Sequence, residues 1–307
     1  MDLGKAAARL DDPKIRHELS RVGIGSLATV LSLQVATDSG IRRAAGKGRV
    51  NEDGFPILEY EAPKAFFLGQ PAGLLAAYDE RLQPRADSAL YLAQHVQARA
   101  LAAEELKEMT LYHLAQGSLG QGGLSKRLLA VWLEHSPDDN QARWIRFQME
   151  QGQGDSAAAL EDLRYLLKAD PIRAEYLEAA AETQFRIYLN RRSVFGEASP
   201  DQAVDHLQRL LGVAKDNRAA IYQKLAQVHA TAGDWGAALR YLEEGAADAS
   251  KKGDGARAES LWLMAAQLAE EKNDAKKALQ SVRAALALNP KSSLAQQKLE
   301  QLLSVAR

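Results

Sequence analysis

Small and apolar residues recur along most of this chain at spacings of three and four, which is the pattern of helices that bury one face. From residue 72 onward, only short runs of Gly, Pro, Asp and Asn interrupt the pattern. Such runs are typical of turns between helices. The pattern therefore predicts an all-α protein.

The stretch from Ala219 to Pro290 contains the same order of residues twice, with an offset of 40 residues. Each copy has an aromatic residue, a small residue, a Gly-Asp or Asn-Asp turn, a second small residue and an apolar residue. This order predicts two antiparallel helix hairpins, in which the small residues let the two helices approach closely. The paired positions are Tyr222, Ala226, Asp234, Ala238 and Leu242 in the first copy and Trp262, Ala266, Asp274, Ala278 and Val282 in the second.

The second helix of each hairpin can be followed through the chain by three positions spaced i, i+4 and i+7. Five such sets occur, at successive offsets of 34, 44, 35 and 40 residues. A helix with this spacing presents one face to its neighbours, and a stacked array must bury that face. The sets are Ser125/Leu129/Trp132, Ala159/Leu163/Leu166, Ala203/Leu207/Leu210, Ala238/Leu242/Gly245 and Ala278/Val282/Ala285.

This order of residues resembles the tetratricopeptide repeat (TPR) family, whose period is 34 residues. The resemblance covers about residues 104–289 and implies a right-handed α-solenoid of TPR-like helix hairpins. The 44-residue offset indicates an insertion near residues 188–199, and the 40-residue offset indicates an extended turn at 250–255. We predict four segments: an irregular N-terminal segment (1–70), transitional helices (71–103), about five hairpins (104–291) and a C-terminal capping helix (292–307).

The N-terminal segment contains an uncharged stretch at residues 22–37. A membrane-spanning helix needs about 20 mostly apolar residues, and this stretch is shorter and contains Gly, Ser and Gln. We predict that a helix begins at Pro13 and runs on toward Ala36 as a buried helix of the folded domain. Contact with a membrane, or a span across it, is the alternative.

Charge and composition exclude several classes of function. The chain has 39 basic and 40 acidic residues, so no global charge attracts nucleic acid or an anionic membrane. There is no cysteine, which excludes disulfides, thiolate zinc sites and cysteine catalysis. The six histidines form no HExxH motif, and there is no G-x-S-x-G motif. We predict a protein without catalytic residues, metal or cofactor, and we expect His229 to pack in the core.

The predicted insertion combines arginines with aromatic residues. Such a segment suits an acidic protein segment, or stacking with a nucleic acid. The net charge of −1 disfavours nucleic acid. The alternative is a lengthened first helix with packed aromatic residues and solvated arginines. The candidate contacts are Arg186, Tyr188, Arg191, Arg192 and Phe195.

The resemblance to TPR proteins also implies a concave groove lined by residues of the first helices. By register these are Ile145, Met149, Leu177, Ala181, Gln223, Gln227, Leu263 and Gln267. A mixed apolar and amide surface suits a helix or an extended peptide. The Lys, Asn and Arg of the family's carboxylate-binding variant are absent at these positions, so a chaperone C-terminus is disfavoured. The alternative is that these residues mainly contact neighbouring repeats.

Taken together, these patterns predict a non-enzymatic scaffold or adaptor that binds a protein or peptide partner within a multiprotein assembly. One alternative is a membrane-associated assembly or secretion factor, attached to the envelope through its N-terminal segment. A variant of this alternative is that residues 1–70 form an enzyme-like segment that precedes a TPR targeting module. Another alternative is nucleic-acid binding through Arg186, Arg191 and Arg192. The expected location is cytoplasmic, with a periplasmic or membrane-associated location as the alternative, and no pattern specifies an oligomeric state.

Overall fold

The structure, a computed structural model, describes residues 3–45, 90–98, 100–115, 122–195 and 199–305. Within these ranges all regular secondary structure is helical, as the hydrophobic pattern predicts. The helices are α1 (Leu3–Leu10), α2 (Pro13–Arg21), α3 (Leu27–Ser32), α4 (Asp38–Ala45), α5 (Tyr91–Ala98), α6 (Ala103–Ala115), α7 (Gly122–His135), α8 (Asn140–Gly152), α9 (Ser156–Ala169), α10 (Ala174–Phe195), α11 (Asp201–Val213), α12 (Arg218–Ala232), α13 (Trp235–Lys251), α14 (Gly255–Glu271), α15 (Ala275–Leu288) and α16 (Ser293–Val305).

The chain divides into two compact units, Met1–Ala142 and Arg143–Arg307. We call them the N-terminal unit and the C-terminal unit. Residues 46–70 of the predicted N-terminal segment lie outside the described residues. The division into four segments, the right-handed course of the array and the capping role of α16 stay predictions.

In the N-terminal unit, α2 begins where the sequence predicts. The side chain of Asp12 accepts a hydrogen bond from the backbone N–H of Lys14 at 2.8 Å, and Pro13 occupies the first turn. The predicted continuation of this helix toward Ala36 is wrong. The helix ends at Arg21, and Gly23 follows with a φ of 78°, a left-handed conformation that glycine adopts without strain.

The uncharged stretch at 22–37 instead contains the short helix α3. A carboxylate from α6 holds its start: Glu108 Oε1 accepts hydrogen bonds from the backbone N–H of Gly25 at 2.7 Å, the backbone N–H of Ser26 at 3.0 Å and Thr29 Oγ1 at 2.8 Å. A negative charge at a helix N-terminus satisfies donors that lack partners within the helix.

Further along α3, Ser32 Oγ lies 2.8 Å from Nε2 of the buried His113. Ala28 and Leu31 are also buried, whereas Val22 is 57% exposed. The stretch therefore packs within the N-terminal unit through one short helix. Among the described residues, no helix is both long and apolar enough to cross a membrane.

The three positions that mark each predicted second helix lie on α7, α9, α11, α13 and α15. All fifteen of these side chains or glycine positions are buried. Each of the five second helices thus buries the predicted face.

Four turns between helices of the C-terminal unit share one construction. A residue with a left-handed backbone is followed by an aspartate whose side chain accepts a hydrogen bond from the backbone three residues later. This explains the recurrence of Gly-Asp and Asn-Asp, since glycine and asparagine tolerate positive φ and aspartate caps the next helix. The pairs are Gly154 and Asp155, Gly233 and Asp234, Gly253 and Asp254, and Asn273 and Asp274.

The 44-residue and 40-residue offsets between repeats both arise from long helices. Helix α10 has 22 residues, which accounts for the 44-residue offset. The extended turn predicted at 250–255 is wrong, because α13 and α14 have 17 residues each and only Lys252, Gly253 and Asp254 connect them. The same short, capped glycine turn can join long helices or short helices. The offset between repeats therefore does not show whether the extra residues lie in a helix or in a turn.

Helices α12 and α13 lie in close contact at Gly245. A Cβ atom added there would lie 2.6 Å from Cβ and 2.9 Å from Cγ of Tyr222. These distances are shorter than packed carbon atoms allow, so this position of the hairpin accommodates glycine alone without a shift of the backbone or of Tyr222.

Helices α8 and α9 are joined by a buried carboxylate that the sequence patterns did not reveal. Asp162 is fully buried and accepts hydrogen bonds from Arg146 Nε at 2.7 Å, Arg146 Nη2 at 2.6 Å and Arg143 Nη1 at 3.1 Å. The hydrogen bond to Asp162 raises the pKa of the Arg146 guanidinium above its ordinary value. The Arg143 guanidinium also lies over the ring of Tyr165 at 3.7 Å.

We expect Gly245→Ala to destabilise the protein by about 1 to 3 kcal/mol, because the new methyl group overpacks against Tyr222. Gly236→Ala on the same helix is the matched control, since the nearest atom to its Cβ is Asp234 Oδ1 at 3.8 Å. The control should be neutral or stabilising by up to about 1 kcal/mol. Urea unfolding followed by circular dichroism measures both, and equal effects of the two variants would contradict the close approach.

Asp162→Ala should destabilise the protein by about 1 to 3 kcal/mol, since it leaves two arginines without their shared buried partner. Arg146 is partly exposed and can recover hydrogen bonds to water, which limits the loss. Asp216→Ala removes an exposed carboxylate with no ion pair among the described residues and should change stability by less than about 0.5 kcal/mol. A thermal midpoint for Asp162→Ala equal to that of Asp216→Ala would contradict this assignment.

Candidate functional site

The first helices α12, α14 and α16 present an open surface in the C-terminal unit. Gln223 and Gln227 on α12 and Gln267 on α14 are exposed, and Leu263 on α14 is half-buried. These four residues belong to the predicted groove, and the repeat places them on successive first helices.

Two adjoining depressions make up this surface. One, of about 340 Å³, lies between α12 and α14 and is lined by Gln223, Gln227, Met264 and Gln267 among others. The other, of about 490 Å³, lies between α14 and α16 and is lined by Leu263, Met264, Gln267 and Leu294 among others. Because Met264 and Gln267 line both depressions, the two form one continuous surface, which we call the first-helix groove.

Two apolar side chains of the groove were missed by the sequence analysis. Met264 is 37% exposed and Leu294 is 59% exposed. The resemblance to TPR first helices predicted Leu263, which is one residue before Met264. It predicted no groove residue on α16. A search for apolar residues outside the buried i, i+4 and i+7 face of each first helix would have found both.

Charged residues at the groove are partnered within the protein. Lys298 forms an ion pair with Glu270, and Gln267 Nε2 donates to Glu271 Oε1 at 3.3 Å. Hydrogen bonds from Ser292 and Asn289 lower the pKa of the Glu259 carboxyl, and Asn289 Nδ2 lies 2.8 Å from Glu259 Oε2. The groove therefore offers a partner mainly apolar surface and amide groups.

Other predicted groove residues lie elsewhere. Leu177 is fully buried and Ala181 is 2% exposed, and both belong to the core of the C-terminal unit. Ile145 and Met149 lie half-buried on α8 and do not line the first-helix groove. A groove role does not fit the burial of Leu177 and Ala181, which instead contact neighbouring helices, as the alternative interpretation expects.

A charged clamp joins the first helices α10 and α12. Lys224 Nζ lies 2.8 Å from Glu178 Oε1 and 2.5 Å from Glu182 Oε1. Burial disfavours the charged amine, but the hydrogen bonds to both carboxylates outweigh this effect and raise the pKa of Lys224. None of these three side chains lines the first-helix groove, which extends from α12 to α16.

The lengthened end of α10 carries the candidate contacts of the predicted insertion. Tyr188 is 4% exposed and stacks with Phe185, with 6.1 Å between the ring centroids. Arg186 is half-buried and Arg191 is exposed. The side chains of Arg192 and Phe195 lie outside the described residues. Phe185 and Tyr188 are packed, as in the lengthened-helix alternative, and offer no exposed ring for stacking with a ligand.

The described part of the chain contains no group of three or more His, Cys, Asp or Glu side chains that could hold a metal ion. His229 stacks on Tyr241 with 5.3 Å between the ring centroids, and its Nδ1 lies 3.4 Å from Asp234 Oδ2.

No family model and no curated protein matches the chain. Several solved structures are similar to part of it. One MamA structure has 19% identity and a TM-score of 0.46, over 62% of this chain and 93% of that one. YrrB, described as a TPR protein with an unusual peptide-binding site, has 14% identity and a TM-score of 0.43, over 66% and 95%. A tetratricopeptide repeat protein from Parabacteroides merdae has 16% identity and a TM-score of 0.38, over 80% and 98%.

These similarities, with TM-scores below 0.5, assign neither a family nor a role to this chain. The chain's own geometry shows repeated helix hairpins, because five second helices bury the same three positions and four turns between helices have the same Gly-Asp or Asn-Asp construction. This protein is an all-α helical-repeat protein whose hairpins resemble tetratricopeptide repeats.

Proposed function

We propose that this protein is a non-enzymatic scaffold that holds a peptide segment of a partner protein in the first-helix groove. The observation that carries the proposal is the continuity of the groove across α12, α14 and α16, with exposed amides and exposed apolar side chains side by side. A groove that crosses several helices provides contacts spaced along the length of a bound segment.

The chemistry of the lining indicates how a segment would bind. Met264 and Leu294 provide apolar area, whose burial contributes about 25 cal/mol per Å² of apolar surface removed from water. The amides of Gln223 and Gln227 each offer both a donor and an acceptor, which suits the backbone or polar side chains of a peptide. Lys298 is paired with Glu270, whereas Glu259 and Glu271 accept hydrogen bonds from neutral groups and keep their negative charge. The preferred segment therefore lacks acidic residues and has apolar residues that enter the two depressions.

The groove can be tested by replacing Gln223, Gln227 and Met264 together with alanine. The triple variant should lose most of the partner recovered by co-purification from native cells, because both the amide contacts and the central apolar contact are removed. Quantitative mass spectrometry of the recovered proteins measures the loss. A rough expectation is a reduction of tenfold or more, since a few central contacts carry most of the energy of an interface.

The matched control replaces Gln280, Gln301 and Leu303 with alanine. These residues are exposed and line neither depression of the groove. The control should retain the partner. A photo-crosslinking residue at position 227 should form an adduct that the same residue at position 280 does not form. Full recovery of the partner by the groove variant, or equal cross-linking at both positions, would refute the proposal.

A further inference from the structure

A second groove lies between the second helices α9 and α11 of the C-terminal unit, with α10 at its base. Its larger part has a volume of about 570 Å³ and is lined by Leu160, Arg164, Leu167 and Lys168 of α9, Gln184 of α10 and Gln202, His206 and Arg209 of α11, among others. A smaller part of about 340 Å³ continues along α10 past Ile187 to Arg191. The two parts share Gln184, Asp201 and Gln202, and we call them together the second-helix groove.

Basic side chains with no carboxylate partner line this groove. Arg164, Lys168 and Arg191 are exposed and form no ion pair within the described part of the chain. Arg209, in contrast, is held by Asp205 at 3.6 Å and by the backbone oxygen of Pro171 at 2.8 Å. The second-helix groove therefore differs from the first-helix groove, whose cation Lys298 is paired.

The acidic and titratable groups of the groove do not neutralise these three cations. Asp205 is engaged by Arg209, which leaves Asp201 as the other carboxylate of the lining. Burial lowers the pKa of His206 below its ordinary value, which favours the uncharged ring. Leu160, at 8% exposure, and the half-buried Leu167 add an apolar strip between the basic side chains.

We propose that the second-helix groove binds an acidic segment of a partner protein, with carboxylates paired to Arg164, Lys168 and Arg191 and an apolar residue on Leu160 and Leu167. Arg164 and Lys168 are one helical turn apart on α9, so they can meet two carboxylates of the same segment. Arg191 extends the basic lining along α10. This interaction goes beyond the proposed scaffold function, because the two grooves have no lining residue in common.

A single-stranded nucleic acid fits this groove less well than an acidic peptide. Sequence-tolerant binding of single strands relies on exposed aromatic rings that stack with the bases, and Tyr188, the aromatic residue in the described lining, is 4% exposed. Asp201 and Asp205 would also repel a regular row of phosphates. A protein segment can place its carboxylates only where the cations lie.

The test uses the full chain and a short fluorescent peptide of alternating glutamate and leucine, with fluorescence anisotropy as the readout. Wild-type protein should bind this probe more tightly as the salt concentration falls. The double variant with Arg164→Glu and Lys168→Glu should bind it roughly tenfold more weakly or worse, since each lost pair costs up to about fivefold and each reversed charge repels the probe. Circular dichroism establishes that the variant is folded.

The matched control carries Lys276→Glu and Arg283→Glu, which make the same change in charge on second helix α15. Both residues are exposed and lie outside the second-helix groove. The control should keep wild-type affinity, and so should the alanine variant of Gln223, Gln227 and Met264. Absence of binding by wild-type protein, an equal loss in the control, or tighter binding of oligothymidylate than of the peptide would overturn the proposal.

Discussion

The close approach of two helices in each hairpin is the constraint on which this structure depends. It requires residues that fit the space between the helices at three positions of every second helix. At Gly245 this space excludes even a methyl group. Helices at that distance bury a large apolar area with short side chains, which is how a chain with 6% aromatic residues builds a core.

The repeats could be predicted from the sequence because they depend on residues that are close to one another along the chain. Ala159, Leu163 and Leu166 illustrate this, since their spacing alone predicts a buried face and all three are buried. Turns such as Gly233 followed by Asp234 were equally visible, because positive φ and helix capping each demand a few residue types. The TPR resemblance added the identity of the first helices, and with it the amides of the first-helix groove.

Interactions between residues far apart in the sequence were not predictable in this way. Glu108 caps a helix that begins more than 80 residues earlier, and no local pattern connects the two. Asp162 is one helical turn from both Ala159 and Leu166, on the buried face of α9. The local pattern shows this position but not its partners, which are two arginines of the preceding helix. Leu177 and Gln223 occupy similar places in the register, but only the packing of their neighbours decides that Leu177 is buried and Gln223 exposed.

The clamp of Lys224 with Glu178 and Glu182 has a mechanical consequence. It ties α12, which lines one groove, to α10, which forms the base of the other. A ligand that displaces α10 along its axis must therefore either carry α12 with it or break two ion pairs. Since these side chains are partly exposed, dissolved ions weaken the link. The stiffness of the link between α10 and α12 is therefore expected to fall as the ionic strength of the surroundings rises.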